Sequence, residues 1–149
     1  MNVDELKYPI LCFSQNLIKV CQMASELTTC TKLALQKGGY YDNLIVVDSL
    51  GVMLRVSGAK KLHGIGLFWG YNLFLNQQIK VSLVTDGAPV TIPIAEVKKY
   101  VLNSFARWHG WSSRGDFDEL EASIEKAASI SEIITQLNST ASIQRKPFN

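Results

Sequence analysis

The apolar positions of this chain fall into three zones with different periods. In the first, Ile10, Phe13, Leu17, Val20 and Ala24 recur every three or four residues, which predicts one face of a helix over Pro9–Ala24 with Pro9 at its first position. The same stretch also divides into two short strands, Ile10–Phe13 and Leu17–Cys21. Residues 27–39 then carry a threonine-rich start, lysines in the last turn and Gly38-Gly39 beyond, the marks of a short capped helix.

From Asn43 the period changes. Leu44-Ile45-Val46-Val47 is continuously apolar, Asp48-Ser49-Leu50-Gly51 has turn chemistry, and Val52-Met53-Leu54-Arg55-Val56 resumes as a strand, so a β-hairpin is expected. One helical turn over Ala59–Leu62, two further strands (Phe68–Leu75 and Gln78–Thr85) and a short extended piece at Val90–Ile92 complete the zone. The last third is helical. Ile94, Val97, Tyr100, Val101 and Phe105 share one face; Asp116 or Asp118 caps a second helix burying Leu120, Ile124 and Ala127; Ser129 caps a third with Ile130, Ile133, Ile134 and Leu137. The tail after Asn138 has no period and is expected to fray. Helices, then strands joined by short turns, then helices predict an α+β fold. Its antiparallel sheet would have about four strands, with the N-terminal and C-terminal helices packed mainly on one face.

Length and composition narrow the class. At 149 residues the chain matches one domain, taken as residues 1–149 with a core from about 4 to 138, and 47% hydrophobic against 19% charged residues suffices for a core. A net charge of +2 is too even for a dedicated nucleic-acid binder. The N-terminus is polar and acidic, unlike a signal peptide, and the richest apolar run, Leu67–Leu75, is broken by Gly70 and Asn72, so no membrane span is expected. A soluble cytoplasmic protein follows. Cys12, Cys21 and Cys30 are odd in number and lack a Cys-x-x-Cys pair, which predicts buried thiols rather than a disulfide framework or zinc site.

Candidate chemistry is sparse. His63 or His109, with Asp48 or Asp86 nearby in the fold, is the acid–base set to weigh, against Asp48-Ser49 as plain turn chemistry. Gly64-Ile65-Gly66 precedes an aromatic, strand-like segment and lacks the helix that a phosphate loop needs. Lys60, Lys61 and His63 read as a solvated face. No catalytic residue, cofactor or metal is expected. The most unusual segment is Trp108-His109-Gly110-Trp111-Ser112-Ser113-Arg114-Gly115, since tryptophan and arginine are enriched at the centres of protein interfaces.

The string Leu27-Thr28-Thr29-Cys30-Thr31 through Gly38, with Asn43–Ser49, Ala59–Leu62 and Phe68-Trp69-Gly70-Tyr71-Asn72, resembles bacterial immunity proteins encoded beside polymorphic toxins, contact-dependent growth inhibition systems among them. The resemblance spans about residues 27–137 and consists of scaffold motifs, so it transfers no binding residues. It implies a non-catalytic cytosolic protein that binds one cognate toxin domain. Many such proteins that act on nucleases are acidic; the +2 charge here departs from that. Either the toxin is not a typical basic nuclease or binding uses a local acidic patch, Asp116, Asp118, Glu119 and Glu121, with a hydrophobic or aromatic contact outside the toxin's active site as the other mode. The partner-binding candidates are therefore Trp108, Trp111, Arg114, Asp116, Asp118, Glu119 and Glu121, the partner a toxin protein rather than nucleic acid or membrane. A small enzyme using the histidines and an adaptor or homo-oligomeric structural protein are the competing classes.

Overall fold

The computed structural model describes residues 2–15, 17–65, 78–106 and 114–144, with side chains at all of these except 106, 114–117 and 140–144. Among them the order is β1 (Ile10–Ser14), β2 (Leu17–Cys21), α1 (Ala24–Thr28), β3 (Thr29–Thr31), α2 (Lys32–Lys37), β4 (Leu44–Val47), β5 (Val52–Gly64), β6 (Gln78–Thr85), β7 (Val90–Thr91), α3 (Ile94–Ala106), α4 (Arg114–Lys126) and α5 (Ile130–Gln144). The architecture is α+β, with a curled antiparallel sheet in the order β2-β1-β4-β5-β6-β3 and β7 also paired to β5.

That is seven strands rather than about four, and the difference begins at the N-terminus. Of the two readings of Pro9–Ala24 the helix fails and the pair of strands holds: the segment is the β1–β2 hairpin, with Ser14 opposite Leu17 and Ile10 opposite Cys21. All five β1 residues are buried, and β2 alternates from exposed Leu17 to partly buried Ile18. A strand buried on both faces puts apolar residues at every position, so spacings of three and four can be picked out of it without a helix. The expected helical turn at Ala59–Leu62 is likewise the continuation of β5, paired to β6 through Lys60↔Ser82 and Lys61↔Val81.

Two clusters of buried side chains lie on opposite faces of the sheet, as the alternation within β1 and β4 requires. Leu11, Phe13, Val47 and Met53 pack with Val97, Val101 and Phe105 of α3, Leu120 and Ile124 of α4, and Ile133 and Ile134 of α5. Ile10, Cys12, Leu44, Val46, Leu54, Val56, Ile79 and Val81 pack with Val3, Leu6, Tyr41 and Leu27 of α1. The N-terminal and C-terminal helices thus cover different faces, not one. Leu44–Val47, read as a continuous apolar run, is apolar throughout because each face of that strand is covered.

Local signals hold where they are strongest. The β4–β5 hairpin pairs Leu44 with Val56 and Val47 with Met53. Thr31 accepts a hydrogen bond from the Ala34 amide at 3.1 Å, and Gly38 closes α2 at φ +67°. Ser129 Oγ accepts from the Glu132 amide at 3.1 Å while Glu132 reaches back to the Ala128 amide at 2.8 Å, a capping-box arrangement. The end of α5 departs from expectation: the helix continues past Asn138 to Gln144. The expected strand at Phe68–Leu75 lies outside the described residues.

Candidate partner-binding surface

Five of the partner-binding candidates lie on α4. Leu120, Ile124 and Ala127 are buried at spacings of four and three and fix which side of this helix meets the core. At 100° per residue, Asp118 and Glu125 then fall on the outward side and Glu121 on its flank. Asp118, Glu119 and Glu125 are exposed and Glu121 is half-buried. Neither Asp116 nor Asp118 caps the helix as expected: it begins at Arg114, so they are its third and fifth residues. Asp116 is thereby placed near the N-terminal end, where the helix dipole favours a negative charge.

Among the described residues the ion pair is Lys99–Glu96, at 3.1 Å on the exposed side of α3; the α4 carboxylates take no part in it. Lys98 Nζ donates to the Glu125 carbonyl at 2.7 Å, a cation at the last turn of α4 that ties it to α3. The result is an acidic strip on a helix held at its core face and at its C-terminal end. Trp108, Trp111 and His109 lie outside the described residues, and Arg114 and Asp116 are placed only by the backbone of the first α4 turn.

Of the acid–base alternative, Asp48 and His63 are described and are not brought together. Asp48 is 1% exposed, and its carboxylate accepts from three backbone amides: Lys7 at 3.0 Å, Leu50 at 2.9 Å and Val52 at 2.8 Å. It is a turn clamp, as its sequence context suggested. His63 is exposed on β5, opposite Lys80, with Nδ1 2.8 Å from the Gly64 carbonyl. The run of strand from Val52 to His63 separates the two by on the order of 30 Å. Among the described residues no three His, Cys, Asp or Glu side chains are grouped to hold a metal ion, and no helix is long and apolar enough to cross a membrane.

Cys12 and Cys21 are buried in the core, although on strands rather than in helical patterns, and Cys30 is partly buried beside it. Burial pushes the Cys30 thiol up, the reverse of what an activated nucleophile needs. A groove of about 360 Å³ is lined by Asn2, Asp4, Thr28, Leu62, Lys80 and Ser82 among others, with Lys80 Nζ donating to Thr28 Oγ1 at 2.7 Å. Its walls come from four separated segments, so no local motif could announce it.

Three tyrosines near the N-terminal core carry a pH signature. Burial pushes Tyr8 up to about 12 and raises Tyr40 and Tyr41 further. Tyr40 Oη is buried without a hydrogen-bond partner among the described residues, and Tyr41 Oη donates to the Leu27 carbonyl at 2.9 Å. With the folded values raised, the unfolded chain releases these protons first as pH climbs. Stability is therefore full below about pH 10, the ordinary tyrosine value, and falls above it. Urea midpoints measured from about pH 8 to pH 11 are expected to decline only in the upper part of that range, and a flat profile would contradict the assignment.

Comparison of the chain with protein-family models, with curated proteins and with solved structures finds no match.

Proposed function

We propose that this chain is an immunity protein that neutralises a cognate toxin domain by stoichiometric binding, with the outward side of α4 as a principal contact. The observation that carries the reading is the geometry of that helix. Leu120, Ile124 and Ala127 anchor it, so Asp118, Glu121 and Glu125 are held on a rigid support rather than on a loop. Pre-ordered like charges lose little entropy on association and steer a basic partner into register. The resemblance of residues 27–137 to immunity proteins supplies the partner class, and the local acidic strip supplies what the +2 net charge does not. The partner surface that fits is basic, as on a nucleic-acid-cleaving or nucleic-acid-binding toxin domain.

Co-expression with the toxin encoded beside this gene tests the proposal. Protection of growth and a one-to-one complex are expected. Replacing Asp118, Glu121 and Glu125 together by lysine should weaken the complex by about a hundredfold or more, mostly through like-charge repulsion, while far-ultraviolet circular dichroism stays unchanged. No protection and no complex would end the immunity reading. Protection that survives the charge reversal would move the contact away from α4.

A further inference from the structure

We propose that Cys12 and Cys21 form a reversible dithiol–disulfide pair that clamps the open end of the β1–β2 hairpin when a peroxide is present. The sulfurs are 3.7 Å apart in the core. Cys12 lies opposite Lys19 and Cys21 opposite Ile10, so the cysteines are diagonal neighbours whose side chains enter the same cluster. Such diagonal pairs lie about 7–8 Å apart across an antiparallel ladder, wider than the usual Cα separation of a disulfide, so the strand ends must draw together as the sulfurs approach. Closing the bond asks for an approach of the sulfurs and no change of strand register.

The two thiols differ in role. The two sulfurs share a hydrogen bond in which either can donate, and the nearby Lys19 ammonium favours thiolate at both. Cys21 is the last residue of β2, which is an edge strand, and is followed by exposed Gln22 and Met23. Fraying of that end admits a small oxidant without unfolding the sheet. The Cys21 thiolate attacks a peroxide oxygen, the O–O bond breaks, and sulfenic acid forms while hydroxide leaves and takes up a proton as water. The Cys12 sulfur then attacks the sulfenic sulfur; the S–S bond forms, the S–O bond breaks, and the second hydroxide departs as water with the Cys12 proton. Two thiols are oxidised and one peroxide is reduced to water. A dithiol reductant reverses the step by exchange.

The consequence is mechanical. The hairpin turn already joins the strands between Ser14 and Leu17, so a bridge at the other end leaves β2 no route to peel from β1. Because Ile18 and Val20 pack against the cluster that holds α3, α4 and α5, the clamp also steadies that side of the sheet.

The test uses the unmodified protein treated with hydrogen peroxide and then quenched. A glutamate-specific protease cuts after Glu26 and trypsin after Lys19, which puts each cysteine on its own peptide. A crosslinked Tyr8–Lys19/Val20–Glu26 pair is expected, with intact mass lower by two hydrogens and the thiol count in denaturant falling from three by two. Reductant should restore all of them. Amide exchange across Leu17–Cys21 should slow by about tenfold in the oxidised form. Separate peptides carrying sulfinic or sulfonic acid, or a link through Cys30, would overturn the pair. A bond that leaves exchange in β2 unchanged would overturn the clamp.

Discussion

Replacing Asp48 by alanine is expected to destabilise the protein by about 4 kcal/mol, seen as a lowered urea midpoint with an unchanged denaturant slope. The buried carboxylate accepts from the amides of Lys7, Leu50 and Val52, and a hydrogen bond to a charged acceptor contributes about 1.5–3 kcal/mol before non-additivity reduces the sum. Two of the bonds, to Oδ1, close the β4–β5 turn. The third, to Oδ2, fastens the N-terminal segment to that turn, helped by Ser49, whose amide and hydroxyl both donate to the Lys7 carbonyl at 3.1 and 2.9 Å. Asparagine retains an acceptor for the turn amides but offers a donor where Lys7 needs an acceptor, so Asp48→Asn should lose roughly half as much. Hydrogen exchange separates the contributions: Lys7 should lose protection in both variants, and Leu50 and Val52 mainly in the alanine variant. An alanine variant within about 1 kcal/mol of the parent would refute the clamp.

Gly51→Ala is the second large effect, expected at about 2–5 kcal/mol from two additive sources. Gly51 sits at φ +86°, its amide donating to the Asp48 carbonyl at 3.1 Å, in the left-handed position that follows a type I turn in short hairpin loops. An L side chain there is strained by about 1–2 kcal/mol. A Cβ would also meet the Ile92 carbonyl oxygen at 2.7 Å and Ile130 Cδ1 at 3.3 Å. That oxygen is main chain, next to the Ile92 amide that donates to the Gly51 carbonyl at 2.9 Å, so it cannot turn aside as a side chain would. Gly51→Asn distinguishes the two sources, since asparagine tolerates positive φ yet keeps the Cβ. Thermal unfolding should place Gly51→Asn between the alanine variant and the parent. Recovery to the parental midpoint would mean that the backbone angle alone matters.

These two positions also mark what could be read without coordinates. Asp48 and Gly51 declare themselves as turn residues because an Asx side chain bonds amides two and four residues ahead, and a glycine supplies a left-handed angle. The same holds for Thr31, Ser129 and the Ile94–Phe105 stripe, where the partners of each signal lie within one or two helical turns. The β1–β2 hairpin was legible only as one of two readings, strands against a helix, with no local contact to choose between them. Its residues are apolar because β4 lies on one side and the two clusters above and below, and none of those neighbours is close in sequence. Of the candidate surface, the acidic composition of residues 116–121 was legible, but Glu125 joined it only once the burial of Leu120 and Ile124 had set the rotation of α4. The nine-residue interval between Cys12 and Cys21 had no meaning until β1 and β2 paired and brought the sulfurs to 3.7 Å.

Sequence by itself determined the elements whose stabilising contacts are local: caps, turns and amphipathic helices, in which side chain and partner are a few residues apart and the chain entropy of bringing them together is small. Tertiary structure decided the strand count, the pairing order, which helices cover which face of the sheet, and which thiols and carboxylates meet. Those depend on contacts between segments tens of residues apart, and the same apolar residue serves a helix face or a doubly buried strand equally well until its distant neighbours are in place.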